Sequence, residues 1–397
     1  MGIIYNLLYT LFFPFYLLLF IFITKKKGYS PELKERFVLY PDNRSRVLWF
    51  HCASVGELNL SKPLIKYFTG KHRILITVSS PRGKEYAVKN FPEAIIRTLP
   101  FDFPFLIKKF INTYTPEVLI IAEGELWYNL IDVSSKQIPV ISINTRISPS
   151  SYRIYRKISP FIKNILKKFR LIIARSQTDY ELLKSFVHEN VVLCGDLKFV
   201  SSIGEKNIEF EKKGKILIAG STHEPEEKIL INVFKKLKEK YPELKLLIAP
   251  RHLERVPEVI KILEKENIPY SLRTKTKIPE TDVYVIDTLG ELSAFYRYAD
   301  VVFVGGSIAP VGGHNILEAI LQNKPVIIGK NYEKISDTVN QLLPEGIIKI
   351  AKDEKEIKEA VEYFLNISGK DIDFKKISEN IFKCYLSNIK KVLGDSL

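Results

Sequence analysis

Short runs of aliphatic and β-branched residues recur along most of this 397-residue chain, and longer amphipathic stretches separate them. That alternation constrains the fold more than any single motif, because it is the mark of βαβ units built around a parallel sheet. In the first half the predicted strands are Val47 to His51, Ile74 to Val78, Ile95 to Leu99, Val118 to Ala122, Val140 to Ile143, Leu171 to Ala174 and Val191 to Leu193. Helix-like stretches such as Leu60 to Thr69 and Asp179 to Val187 lie between them. The second half repeats the scheme at Ile216 to Ala219, Leu244 to Ala249, Val283 to Ile286, Val301 to Val304, Val326 to Ile328 and Ile347 to Ile350. The polar segment from Ser201 to Lys215 has no apolar period and reads as a linker, and Lys375 to Val392 reads as a terminal amphipathic helix. With 46% hydrophobic residues the chain can fill two cores. The expected fold class is α/β: two Rossmann-like domains facing across a cleft, plus an N-terminal membrane helix. The expected divisions are 1–27, 28–204, 205–374 and 375–397.

The amino terminus carries no charge from Ile3 to Thr24, and the run is rich in Leu, Ile, Phe and Tyr. About 20 helical residues cross a hydrocarbon core about 30 Å thick, and Pro14 is tolerated in such a setting. The run ends at Lys25-Lys26-Lys27-Gly28, without the charge order or cleavage site of a secretory signal. The positive-inside rule then leaves the remainder in the cytoplasm. A helix lying in the interface is the other arrangement that fits, and either one places the chain at a membrane.

Lys and Arg number 60 against 45 Asp and Glu, a formal charge of +15. The excess favours anionic partners, although its spread through the chain also suits a solvated basic surface. No helix-turn-helix or RNA-binding signature accompanies it, so no nucleic-acid partner is expected. Cys52, Cys194 and Cys384 are far apart without CxxC spacing. They read as buried small hydrophobes rather than a disulfide framework. No HxH or HExxH pair occurs among the six histidines, so no metal is expected.

Ligands of doubly wound sheets bind where strands give way to helices at their carboxyl ends. The first strand leaves through His51-Cys52-Ala53-Ser54-Val55-Gly56-Glu57. A partly desolvated Glu57 suits a general base, or it complements a helix dipole. Val118 to Ala122 exits through Glu123-Gly124-Glu125-Leu126-Trp127, which either positions a sugar hydroxyl or supplies the acidic first turn of a helix. Asn144-Thr145-Arg146 and Gly195-Asp196-Leu197-Lys198-Phe199 add cationic groups to the same rim.

In the second half, Ala219-Gly220-Ser221-Thr222-His223-Glu224 presents N–H groups and hydroxyls as an anion site would. Pro250-Arg251-His252 places an arginine able to clamp a phosphate or carboxylate. Two glycine pairs, Gly305-Gly306 and Gly312-Gly313, allow close backbone approach to a ligand. Asn315 then caps a helix in which Glu318 can accept ribose hydroxyls, unless the two residues form only a capping box.

These blocks, with Lys62-Pro63-Leu64 and Asp287-Thr288-Leu289-Gly290-Glu291-Leu292, resemble in order and register those of the bacterial Kdo (3-deoxy-manno-octulosonic acid) transferases. The resemblance runs through nearly the whole chain. Two departures are Tyr128, where a proline is usual after the tryptophan, and Pro225, where a glycine is usual.

What the resemblance implies is a metal-independent, inverting GT-B glycosyltransferase without a cofactor, held at the bacterial inner membrane by one N-terminal anchor. Its partners would be CMP-Kdo, a lipid A precursor and an anionic membrane surface. Glu57 would be the general base, Glu123 a second glutamate on the acceptor side, and Lys198 the stabiliser of developing negative charge. Pro250, Arg251, Gly290, Glu291, Leu292, Asn315, Ile316, Leu317 and Glu318 would contact CMP. Ser221, Thr222, His252, Gly306 and Gly313 are further donor-site candidates, and Ser54, Gly56 and Arg146 acceptor-site candidates. Other readings are a GT-B enzyme using a UDP-sugar and a membrane lipid, or a non-catalytic, membrane-attached nucleotide-binding protein.

Overall fold

The computed structural model describes residues 2–41, 43–200, 208–366 and 374–394. Residues 201–207 of the expected linker, and with them the expected boundary at 204, lie outside the described residues.

The first sheet contains β1 (Val47–His51), β2 (Arg73–Val78), β3 (Ile95–Thr98), β4 (Pro116–Ala122), β5 (Val140–Thr145), β6 (Leu171–Ala174) and β7 (Val191–Leu193). All seven are parallel, in the order β3-β2-β1-β4-β5-β6-β7. The second sheet contains β8 (Ile216–Thr222), β9 (Lys245–Pro250), β10 (Tyr270–Leu272), β11 (Val283–Val285), β12 (Val301–Val304), β13 (Val326–Ile328) and β14 (Ile348–Ile350). It too is wholly parallel, ordered β10-β11-β9-β8-β12-β13-β14. The expected α/β class with two sheets and an apolar N-terminal helix is thus present. Its strands read as unbroken hydrophobic runs because parallel sheets are covered on both faces; every residue of β1, β6, β11, β12 and β13 is buried.

Three differences from the sequence reading matter. β10 was not expected: Tyr-Ser-Leu at a sheet edge is too short to show a period. β5 and β8 run further than expected, so Asn144 and Thr145, and Ser221 and Thr222, belong to strand ends. Cys194 and Cys384 are not separate buried thiols. They form a disulfide across 190 residues of sequence, and Cys52 alone among the three is a free, buried thiol. No spacing rule anticipates a partner that distant. It is brought there by the last helix, Phe374–Leu393.

Residues 1–201 with 379–397 form one compact unit, and 202–378 the other. In the first unit the last helix buries Ile381, Tyr385 and Ile389. Tyr385 Oη donates to the Gly195 carbonyl at 2.9 Å, and the Phe382 ring meets Tyr67 edge-on at 5.9 Å. Gly195 has φ +98°, and a Cβ there would come within 3.0 Å of Ile381, so glycine is needed both for the turn and for the helix above it.

The helix Gly2–Lys26 is, among the described residues, the one long and apolar enough to cross a membrane. Tyr5, Phe13, Leu17 and Phe20 pack on the first core, whereas most of its other large side chains are exposed.

Candidate functional site

In each sheet the first strand is central, and the chain runs to opposite sides of it: β2 and β4 flank β1, β9 and β12 flank β8. Those reversals are where doubly wound sheets open a crevice at the strands' carboxyl ends.

In the first unit β1 ends at His51, paired with Thr77 of β2 and Ile121 of β4. Ser54 is the N-cap of helix Val55–Thr69, its hydroxyl accepting from Glu57 N at 3.4 Å. Glu57 folds back, so that one oxygen accepts from Ala53 N and the other lies 3.3 Å from Ser54 Oγ. This is close to a reciprocal capping box, so the helix start holds the carboxylate in place. The side chain is nearly buried, at 9% exposure. Burial, then the negative charge of Glu125, push its pKa up to about 7.

The loop after β4 faces the same spot. Glu123 has φ +53° and Gly124 φ +82°, so the chain turns sharply before helix Tyr128–Ser135 begins. The acids therefore precede the helix rather than forming its first turn. A Cβ on Gly124 would lie 2.9 Å from Thr145, so the loop needs glycine to sit against β5.

Glu125 Oε2 lies 3.0 Å from His51 Nε2 and accepts from Trp127 Nε1 at 2.9 Å. Burial works to raise its pKa, but the hydrogen bond and charge from His51 and the bond from Trp127 outweigh burial and lower it. His51 is fully buried, its Nδ1 3.0 Å from Thr77 Oγ1, which also accepts from Trp49 Nε1 at 2.8 Å. Glu123 Oε2 lies 3.7 Å from Arg146.

Lys198 stands on the 3-10 turn Leu197–Val200, which packs against helix Val55–Thr69. That turn is held by Lys198 N on Asp196 Oδ1 at 2.9 Å and by Leu197 N on Asn144 Oδ1 at 2.9 Å. Thus Ser54, Glu57, Glu123 and Arg146 share one rim of this unit, with Gly56 exposed in the first helical turn.

The second unit gathers its own set. Glu226 opens helix Glu226–Lys238 and is fully buried. Its Oε2 accepts from His223 N and Gly306 N, both at 2.9 Å. Its Oε1 accepts from Ser307 N, Ile308 N and Ala309 N at 3.0, 2.8 and 3.1 Å. One carboxylate thus ties the loop after β12 to the exit of β8. Gly306 belongs to a glycine pair expected to let the backbone approach a ligand, and its N–H is bonded to Glu226. At Gly305 a Cβ would lie 2.4 Å from Ser221 O and 2.6 Å from Glu226 Oε2, so the first glycine pair serves this closure.

Three histidines sit over that loop. His223 and His314 stack with centroids 5.0 Å apart and Nε2 atoms 2.7 Å apart; His252 meets His223 edge-on at 5.6 Å. Burial, then His223, Arg251, Lys334 and His252, pull His314 down to about 4. His223 is lowered too, chiefly by burial. Gly312 and Gly313, at φ +94° and +83° and packed against Lys334 and Ile335 respectively, lead the chain into His314. Ser221 sits at φ +55°, and Thr222 pairs with Pro250, the end of β9. The Thr222 hydroxyl is buried with no hydrogen-bond partner. Arg251 and His252 are exposed just beyond.

Asn315 is not the N-cap of its helix: Ile316 is, and the helix is only Leu317–Ile320. Asn315 Oδ1 accepts from Leu317 N at 3.1 Å, and its Nδ2 donates to Glu318 Oε1 at 3.3 Å. Ile316 is buried and Leu317 half-buried. After β11, Gly290 takes φ +77° and Leu292 starts helix Leu292–Phe295. Glu291 receives a two-pronged bond from Arg273, Nε to Oε2 at 3.2 Å and Nη2 to Oε1 at 3.0 Å, with the Thr288 hydroxyl on Oε2.

His51, Glu226, Arg273 and the His223–His314 pair were not singled out from sequence. The His51–Glu125, Glu226–Gly306, Arg273–Glu291 and His223–His314 contacts join residues 18 to 91 positions apart, and a single sequence carries no signal for such pairs.

A protein-family profile described as "3-Deoxy-D-manno-octulosonic-acid transferase (kdotransferase)" matches residues 31–201, and "Glycosyl transferases group 1" matches 202–381. The chain is 36% identical over 353 residues to a 3-deoxy-D-manno-octulosonic acid transferase of Aquifex aeolicus, covering 88% of this chain and 95% of that one. It is 31% identical over 364 residues to the Haemophilus influenzae protein of the same name, covering 86% and 85%. Among solved structures, a UDP-GlcNAc 2-epimerase of Methanocaldococcus jannaschii aligns at TM-score 0.54 and 14% identity, covering 86% of this chain and all of that one. A glycosyltransferase of Rickettsia africae aligns at 0.52 and 13%, covering 89% of this chain and all of that one. Those two likenesses speak to the GT-B-like fold alone.

Proposed function

We propose, for a chain that belongs to the 3-deoxy-D-manno-octulosonic acid transferase family, that it transfers Kdo from CMP-Kdo to the distal glucosamine of a lipid A precursor with inversion at the anomeric carbon. The observation that carries this reading is the Glu57 carboxylate. It is nearly buried at the switch point of the first sheet, beside Glu123 and Glu125, with its pKa pushed up to about 7. A base titrating near the operating pH is best placed to take a proton from a sugar hydroxyl.

In the reaction, Glu57 takes the proton of the acceptor's primary hydroxyl as that oxygen bonds to the Kdo anomeric carbon. The bond from that carbon to the CMP phosphate oxygen breaks, and CMP leaves with the electron pair. Glu123, held toward Arg146, orients the acceptor. In the first unit Lys198 stabilises developing negative charge, and in the second Arg251 holds the donor phosphate; fixed positive groups suffice for a phosphate leaving group. Pro250, Gly290 to Leu292 and Asn315 to Glu318 line the nucleotide, with Glu318 on the ribose. Ser221, Thr222, His252, Gly306 and Gly313 border the sugar and phosphate. Gly306 acts through loop shape, because its N–H is bonded to Glu226.

The apolar helix Gly2–Lys26 and the formal charge of +15 support a membrane-attached enzyme whose domains face the cytoplasm, next to an acceptor that stays in the bilayer. Donor competition tests the nucleotide: inhibition by CMP supports the reading. Inhibition by UDP with indifference to CMP would replace it with a UDP-sugar transferase.

A further inference from the structure

The helix Gly2–Lys26 is apolar on all sides, yet its two faces have different surroundings. Tyr5, Tyr9, Phe13, Tyr16 and Phe20 recur at helical spacing and meet the first domain along the whole helix. At the amino end Tyr5 Oη donates to Asp102 Oδ2 at 2.7 Å, and Asn129 Nδ2 donates to Asn6 Oδ1 at 2.7 Å. Tyr5 also packs on Tyr128, centroids 5.2 Å apart, and Tyr128 stacks on Phe161 at 5.5 Å. In the middle Phe13 contacts Phe101 and Phe103 edge-on at 5.0 and 4.7 Å. Toward the carboxyl end the buried Arg36 guanidinium lies 4.6 Å from the Phe20 ring centroid. The opposite face, including Ile4, Leu7, Leu11, Phe15, Leu18 and Phe22, is more than 60% exposed at each of these positions. Phe105, 65% exposed and 5.6 Å from Phe103, extends it.

We propose that this helix lies in the plane of one membrane leaflet, its aromatic face kept on the first domain and its aliphatic face in the acyl chains, and does not cross the bilayer. The inference rests on the reading of a membrane-attached enzyme. From Tyr5 to Phe20 the docked stretch rises about 22 Å at 1.5 Å per residue, most of a hydrocarbon core about 30 Å thick. A crossing helix would either strip away every contact on that face or carry Asp102, Asn129 and Arg36 into the core. Asp102 is held by Tyr5 and by the N–H groups of Asn129 and Leu130 at 3.1 and 2.7 Å, so it belongs to the domain and cannot follow the helix. Each charge at the bilayer centre costs about 2.5 to 3.5 kcal/mol on insertion scales. Lying flat, an apolar face sinks about 5 to 10 Å and needs neither change. Lys25 and Lys26 close the last turn of the helix, Lys27 follows it, and the three match an anionic leaflet. The occupant of the exposed face is therefore an anionic bilayer surface. Tyr128 then has a structural role: it docks the membrane helix.

The test uses the full chain with a protease-sensitive epitope before Met1. The chain should float with vesicles containing phosphatidylglycerol. The epitope should survive protease in spheroplasts and be lost in inverted inner-membrane vesicles. Loss in spheroplasts would mean the helix crosses, and overturn the proposal while leaving membrane attachment standing. Failure to float would sink the attachment reading itself. A second readout is N6C/N129C, which should be joined by a short thiol cross-linker in membranes with transfer retained. No cross-link in a membrane-bound, active variant also overturns the proposal.

Discussion

His51 Nε2 and Glu125 Oε2 lie 3.0 Å apart, a contact that gives Glu125 a different environment from its neighbour Glu57. Glu125, also bonded by Trp127, is held below the usual carboxylate range, whereas burial and the charge of Glu125 push Glu57 up to about 7. Separating two carboxylates by environment is how one site holds a fixed charge beside a titrating base. In wild type, kcat/KM should fall as pH drops below about 7, because the base must be ionised. Glu125→Gln removes the like charge, so this acid limb should move to lower pH. A limb that stays in place or moves up would break the link between the two residues.

A raised pKa also has a cost in stability. With an unfolded value of 4.5 and a folded value of about 7, the protonated form is favoured by the fold. The associated stability is fully present below about pH 4.5 and lost as pH rises through about 7. At one pKa unit per 1.36 kcal/mol, reduced for partial exposure, the loss is on the order of 2 kcal/mol. Glu57→Gln should therefore match wild type in thermal unfolding near pH 4 and exceed it above pH 7.5. An equal Tm at all pH values would mean that Glu57 is not desolvated.

Glu226 receives five backbone N–H groups. Its removal leaves those donors buried and unpaired, a loss of about 3 kcal/mol or more. Glu226→Ala should lower Tm by more than about 5 °C and abolish thermal protection by CMP. A fold indifferent to the change would show that the loop after β12 is held by something else.

Arg273 grips Glu291 with two parallel bonds that a lysine ammonium cannot reproduce. If Gly290 to Leu292 contact the nucleotide, Arg273→Lys should weaken CMP binding by about tenfold in calorimetry, the worth of one charge-assisted bond. Unchanged affinity would remove that segment from the nucleotide site.

Much of this architecture was legible in sequence because a parallel strand, buried on both faces, is a visible apolar run; β1, β6, β12 and β13 begin and end where those runs do, as does the partly exposed edge strand β7. Tyr270–Leu272 at the edge was too short to register. The strand exits were legible as places, since Glu123 follows β4 directly and Glu57 lies in the first turn of the helix after β1. Their couplings were not. Nothing local pairs His51 with Glu125, Glu226 with Gly306 or Cys194 with Cys384. Gly305 shows the limit most clearly: a glycine beside a strand end signals a close approach, but what approaches is Ser221 and Glu226 of the same domain.

Transfer from freshly made CMP-Kdo to a tetraacylated lipid A precursor, read by mass spectrometry for wild type and Glu57→Ala in parallel, tests the account most directly. A mass gain of one or more Kdo units that disappears in a variant still binding CMP is the predicted result. No gain with intact, CMP-binding wild type, or undiminished gain in Glu57→Ala, would contradict it.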